Sequence, residues 1–233
     1  MNTEALRTVA ATYGTPTYIF DVREVEARIR LLRSLLPEDT GLCFAVKANP
    51  FLIPYVADLV DRLEVCSPGE YEICIQEQIA PEKIVVSGVN KTYESMKRIL
   101  SYSKGAGIYT IESEEHAKIL RTLAEKNQMP LSVLIRLSSG NQFGVDAETF
   151  LRLAKEIQES PYLTLAGVHY YAGTQKRQSK LEKELDTLTA FAKTFEEETG
   201  TVLNELEYGA GMKVSYFIND SEKDQRESEP EPQ

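Results

Sequence analysis

"LCFAVKANP", residues 42–50, is the stretch from which the rest of the chain can be read. Cys43, Phe44, Ala45 and Val46 make a short apolar run of the kind buried on both faces in a parallel sheet. The run stops on a lysine, Lys47, with Ala48, Asn49 and Pro50 behind it. Two readings of that lysine are open. Its stem can lie along the strand end while the ammonium reaches solvent, or the amine can stand at the mouth of a barrel, where a carbonyl compound condenses with it.

Outward from this stretch the same alternation repeats. "TPTYIFD" (15–21) reads as an initial strand, and 22–36 as a helix with Val25, Ile29, Leu32 and Leu36 on one stripe. After 42–48 comes a helix from Pro50 through Val60, then the strand "LEVCS" (63–67) and the helix "PGEYEICIQEQ" (68–78). "KIVVSG", "GIYTIE" and "LSVLIRL" each precede a helix, over 92–102, 113–127 and 146–158. "LTLAGVHYYAG" leads into a long charged helix from Gln178 to Thr199, and "LNELEYGAG" closes the series. About seven apolar strands separated by helical crossovers predict an α/β fold with a parallel sheet. A doubly wound sheet fits the alternation, but so many consecutive units favour a (β/α)8 TIM-type barrel, truncated after the seventh strand.

Composition narrows the function classes. Lys and Arg number 26 against 36 Asp and Glu, a formal charge of −10, which argues against nucleic-acid and anionic-membrane partners. The start, "MNTEALRTVAATYG", has no basic segment followed by an apolar one, and no later apolar run is long enough to span a bilayer, so a cytoplasmic protein is expected. Cys43, Cys66 and Cys74 are too few for a disulfide framework or a zinc site, and Cys43 and Cys66 read as small core residues. With two histidines, His116 and His169, no metal centre is expected. The carboxylate-rich stretch 219–233 reads as a disordered tail.

In a parallel barrel the chemistry lies at the C-terminal strand ends. Those ends carry Lys47 and Asn49, Ser67 and Glu70, Ser87 and Gly88, and Glu112 and Ser113. Beyond them come Arg136 and Ser138, then His169, Tyr171, Gly173 and Thr174, and last Gly209, Ala210 and Gly211. Ser67 and Ser113 read first as helix N-caps. "YGAGMK" (208–213) is either a tight turn or a stripped-down anion cradle; its spacing rules out a P-loop. Gly173 and Thr174 on the preceding strand end add weight to the cradle.

Five segments together resemble the pyridoxal-phosphate-dependent decarboxylases of the alanine-racemase fold type, which act on diaminopimelate, ornithine and arginine. They are "FAVKAN", "LEVCSPGEYE", "LIRLSSGNQFGV", "AGVHYYAGTQ" and "LEYGAGM", in family order over almost the whole chain. The resemblance implies that Lys47 carries the cofactor's aldehyde, and that Gly209, Ala210, Gly211, Gly173 and Thr174 hold the phosphate. It implies Glu70 near the cofactor or its lysine, Arg136 near the ring and the substrate, and Tyr171 against the ring. Where the family stacks a histidine on the ring this chain has Tyr171, so His169, two residues back on the same side of the strand, is the candidate proton carrier. Glu64 replaces the usual aspartate, Gln142 replaces a lysine, and Ala210 interrupts a glycine triplet, tolerable unless its φ is positive.

The family's eighth strand, with a Glu-Pro-Gly-Arg motif, and its C-terminal β-domain have no counterpart in the sequence. The expected organisation is therefore 1–40 as the strand and helix that normally join the β-domain, 41–218 as an incomplete barrel binding pyridoxal 5'-phosphate, and 219–233 as the tail. The expected function is decarboxylation of an amino acid, free or carrier-tethered, by the cofactor-binding half of the enzyme. The expected partner is a second copy or a separately encoded C-terminal half. A noncatalytic binding or regulatory homologue is the alternative, and a single-domain cofactor-carrier barrel a third.

Overall fold

The computed structural model describes residues 3–140 and 143–214. Gln142, the tail 219–233 and the last four residues of the expected barrel lie outside them. Two compact units divide the chain, Met1–Val85 and Val86–Gln233. In both, strands follow one another in chain order with a helix as crossover, as the alternation predicts.

The first unit opens with helices α1 (Thr3–Tyr13) and α2 (Val22–Leu35), neither of which buries a residue completely. The Asp21 side chain caps α2 by accepting from the Arg23 backbone N–H. Strand β1 (Cys43–Ala45) pairs in parallel with β2 (Arg62–Val65), matching Phe44 to Leu63 and Ala45 to Glu64. Between them lie two 3-10 turns and the short helix α3 (Ile53–Val56), where the sequence predicts one helix to Val60. Helix α4 (Pro68–Gln76) follows β2, and β3 (Ile84–Val86) runs to the unit boundary. Two expectations fail here. "TPTYIFD" forms no strand: a strand exists only by pairing, and Tyr18 in its middle is 92% exposed. Cys43 is exposed because it opens the three-residue strand β1 at the end of the strand order, and Cys66 is half-buried because it lies just beyond the end of β2.

The second unit holds α5 (Tyr93–Ser103), β4 (Ile108–Ile111), α6 (Glu114–Asn127), β5 (Leu131–Arg136), α7 (Ala147–Gln158), β6 (Leu163–Tyr171), α8 (Gln178–Thr199) and β7 (Glu205–Gly209). Every predicted boundary lies within a residue or two of these. The starts were readable because they are caps: Thr92, Ser113 and Asp146 each accept a backbone N–H from the third residue on. Strands β4 to β7 are parallel. Apolar faces of α6 and α7 supply buried Leu120, Leu123, Phe150 and Leu153, α6 packing on β4 and α7 on β5 and β6, while α8 adds Phe195, edge-on to Phe150 at 5.7 Å.

One irregularity sets the phase of β6. Val133 pairs with Leu165 but Leu134 with Gly167, so Ala166 is an extra residue. Beyond it Arg136, His169 and Glu207 stand in one row across β5, β6 and β7, and Tyr170 pairs with Tyr208 in the next. Gly167 lies so near β7 that a Cβ would sit 1.9 Å from the Glu205 carbonyl oxygen.

Candidate active site

In the first unit Lys47 occupies a 3-10 turn, Val46–Ala48, directly after β1. Val46 is fully buried, which anchors the turn, while the Lys47 side chain is half exposed. Its Nζ lies 3.9 Å from Oε2 of Glu64, the β2 residue level with Ala45. An aldehyde can therefore reach the amine, and the residue that departs from the family's aspartate is the one that holds it. Glu70 is in the first turn of α4, where its carboxylate accepts from the Cys66 backbone N–H at 2.8 Å and lies 3.3 Å from Ser67 Oγ. Ser67 in turn accepts from the Glu70 N–H at 3.2 Å. This pair is a reciprocal cap, so Glu70 has a structural duty whatever else it does.

In the second unit Arg136 ends β5 inside a buried charge network. Its Nη1 donates to Glu112 Oε2 at 2.8 Å, and the guanidinium lies 5.3 Å from the centre of the Phe143 ring. Lys91 stands on the other carboxylate oxygen at 3.5 Å and also donates to Thr110 Oγ1 at 3.1 Å and to the Gly88 carbonyl. The Glu112 side chain is wholly buried and that of Lys91 nearly so. Burial alone would raise the Glu112 carboxyl, yet Lys91 and Arg136, with His169 contributing, hold it below the ordinary carboxylate range. His116 accepts from the Glu112 backbone N–H at 3.3 Å, and burial together with Lys91 pushes its imidazole down to about 4. His169, also buried, is level with Arg136 in the sheet. Lys91 is the residue sequence reasoning passed over. Its signal was position: it lies three residues beyond Gly88, in one of the strand-end loops where the other candidates were sought.

The remaining candidates meet at the ends of β6 and β7. Tyr171 packs so closely on Gly209 that a Cβ there would be 2.6 Å from Tyr171 Cδ2. Gly211 has φ +60° and passes Gly173, whose carbonyl oxygen would be 2.0 Å from an added Cβ. Gly173 has φ +104° and open space where its own Cβ would stand, and Thr174 beside it is exposed. Ala210 is not among the residues with positive φ, so the interruption of the glycine triplet is tolerated. Small residues, two left-handed turns and open space fit an anion held by main-chain groups. Behind the loop Lys176 is buried, paired with Glu184 at 2.7 Å. No local pattern marks this pair, because a lysine and a glutamate eight residues apart across a helix start read as ordinary surface charges.

Comparison with known proteins follows the same residues. Positions 22–229 match the family described as "Pyridoxal-dependent decarboxylase, pyridoxal binding domain". The chain is 31% identical over 235 residues to a diaminopimelate decarboxylase of Actinosynnema pretiosum, covering 93% of this chain and 52% of the relative. It is 31% identical over 232 residues to that of Pseudomonas aeruginosa, covering 91% and 55%. A crystal structure from Aquifex aeolicus superposes with a TM-score of 0.81 at 25% identity over 92% of this chain and 54% of that one. A diaminopimelate decarboxylase from M. jannaschii in complex with L-lysine shares the fold, with a TM-score of 0.79 at 21% identity over 91% of this chain and 55% of that one. The chain thus spans about half the length of the relatives it matches. The fold class expected from the sequence, seven parallel strands alternating with helices and stopping short of a full-length relative, holds. No helix among the described residues is long and apolar enough to cross a membrane.

Proposed function

The chain belongs to the pyridoxal-dependent decarboxylases by its pyridoxal binding domain, and we propose that Lys47 carries pyridoxal 5'-phosphate for the decarboxylation of an amino acid. The observation that carries this is the amine on an anchored turn at a strand end, half exposed and opposite a carboxylate. The cofactor supplies an electron sink for the pair left on the substrate's Cα when CO2 departs.

The chain's own residues do the rest. Glu64 steers the Lys47 side chain by Coulomb attraction. Arg136, locked by Glu112 and Phe143, offers its remaining N–H groups to a carboxylate or a ring oxygen. His169 beside it holds or moves a proton, and Tyr171 offers a flat surface for stacking. Gly173, Thr174, Gly209, Ala210 and Gly211 bind the phosphate, and Glu70 fixes the α4 cap on the strand that carries Glu64. The names of the relatives support diaminopimelate or a similar amino acid as the substrate.

The organisation we propose keeps 41–218 as the cofactor-binding portion, with 1–40 as a segment that joins a further domain. A second copy or a separately encoded C-terminal half supplies the remainder, and the protein works in the cytoplasm. A noncatalytic partner protein is the second reading.

Mixing the chain with pyridoxal phosphate should give an imine absorbance band that borohydride fixes on Lys47, and Lys47→Ala should abolish it. A band that survives the substitution overturns the assignment. Release of CO2 from diaminopimelate, with and without the C-terminal half of a relative, then separates enzyme from partner protein.

A further inference from the structure

Lys176 touches the small-residue loop with both its main chain and its side chain. Its backbone N–H donates to the Gly211 carbonyl at 2.9 Å, and its carbonyl accepts from the Lys213 N–H at 3.1 Å. Its Nζ reaches the Gly209 carbonyl at 3.3 Å, and its Cε would be 3.0 Å from a Cβ at Gly211. The ammonium also lies 5.2 Å from the centre of the Tyr208 ring. It is 5% exposed, and Glu184, its partner on α8, is 7% exposed.

That partner is only half used. Glu184 Oε2 takes both the Lys176 ammonium and the Tyr208 hydroxyl, at 2.7 and 2.8 Å, whereas Oε1 is buried with no hydrogen-bond partner among the described residues. A buried carboxylate satisfied on one oxygen depends on its single cation for neutrality. The pair sits on the α8 side of the sheet, behind the loop, and not on the row that carries Arg136 and His169. It is therefore not a substrate-binding group. It is a charge mount for the loop.

We propose that Lys176 is a positioning residue for the anion loop: it fixes the Gly209–Gly211 main chain and sets the electrostatic sign behind it, so that the loop accepts phosphate while Glu184 is neutralised. This rests on the reading that the loop binds the cofactor's phosphate. Charge bookkeeping gives the two partners opposite effects. Lys176→Met leaves a bare carboxylate behind the loop and repels an anion. Glu184→Gln leaves a bare ammonium and attracts one. Residues that merely pack would both weaken binding.

The experiment compares pyridoxal phosphate with pyridoxal, which lacks the phosphate, by titrating the imine band of the full chain and of each variant. The ratio of the two affinities isolates the phosphate's contribution from the chemistry at Lys47. Lys176→Met should lower that ratio about tenfold or more, and Glu184→Gln should raise it several-fold, as expected for one uncompensated charge within a side chain's length of the anion. Pyridoxal itself should bind alike in all three. The double variant Lys176→Met/Glu184→Met, in which no charge is left buried, should return toward the wild-type ratio and guards against a variant that simply fails to fold. If the wild type does not prefer the phosphorylated aldehyde, the loop is not a phosphate seat, and both the reading and the inference fall. If the preference exists and survives both single substitutions, or falls in both, the inference alone is overturned.

Discussion

Replacing Glu112 by Gln should destabilise the protein far more than its small change in shape suggests. Glutamine fits the same volume and can still accept a hydrogen bond, so the packing is preserved and only the charge is removed. That charge lies between two cations, 2.8 Å from Arg136 and 3.5 Å from Lys91, and the Glu112 side chain is fully buried. At an effective dielectric near 20, contacts at such distances are each worth roughly 5 kcal/mol in gross attraction. Avoiding the desolvation of the carboxylate returns several kcal/mol, so the net loss should be about 3–5 kcal/mol, the usual result of breaking a buried pair from one side. Urea titration followed by far-UV circular dichroism reads it directly as a lower midpoint at unchanged slope. Replacing Lys91, Glu112 and Arg136 together by apolar residues of similar size should be far milder, because no charge is then left alone. The acid side adds a control. Glu112 titrates below its unfolded value in the folded chain. Its stabilisation is therefore full above the unfolded carboxylate value of about 4.3 and is lost as pH falls from there through the folded value. The Gln variant should lack that loss. If Glu112→Gln unfolds within about 1 kcal/mol of wild type, the network is not the keystone its geometry implies.

Two further outcomes can be tested with the same instruments. His116, held at about 4, stays neutral where an unfolded imidazole charges near 6.5. Stability should therefore fall by roughly 3 kcal/mol between about pH 7 and pH 4, and His116→Gln should flatten that slope; an unchanged slope would assign it elsewhere. Gly167→Ala puts a methyl 1.9 Å from the Glu205 carbonyl oxygen, so β6 and β7 must part. A loss of at least about 2 kcal/mol is expected, together with faster hydrogen exchange along β7, and a neutral substitution would show that the two strands are held less tightly.

Much of this architecture is visible in the residues themselves, for identifiable reasons. Runs such as "VLIR" and "IYTI" are apolar throughout because parallel strands are covered on both faces, and the helices between them begin on Thr92, Ser113 and Asp146 because a cap is a local event. What stayed hidden depends on distance along the chain. Lys91 meets Glu112 across 21 residues and Arg136 meets it across 24, and neither pairing has a sequence period to betray it. "TPTYIFD" failed in the opposite way: its residues favour strands, but propensity without a neighbouring strand forms no ladder. Helix α1 was legible but passed over: Leu6, Val9, Ala10 and Tyr13 recur at helical spacing even though the helix buries no residue completely.

Ala166, the supernumerary residue of β6, has a significance out of proportion to its methyl group. Side chains in a strand obey a parity, odd to one face and even to the other, and this one residue resets the count midway. Delete it and His169 would trade places with Tyr170: the imidazole would turn toward α8, and the phenol that now stacks on Tyr208 would turn the other way. A lineage can therefore vary the positions of this strand that neither the site nor β7 uses, but it cannot shorten the strand by one letter without turning His169 out of the row it shares with Arg136.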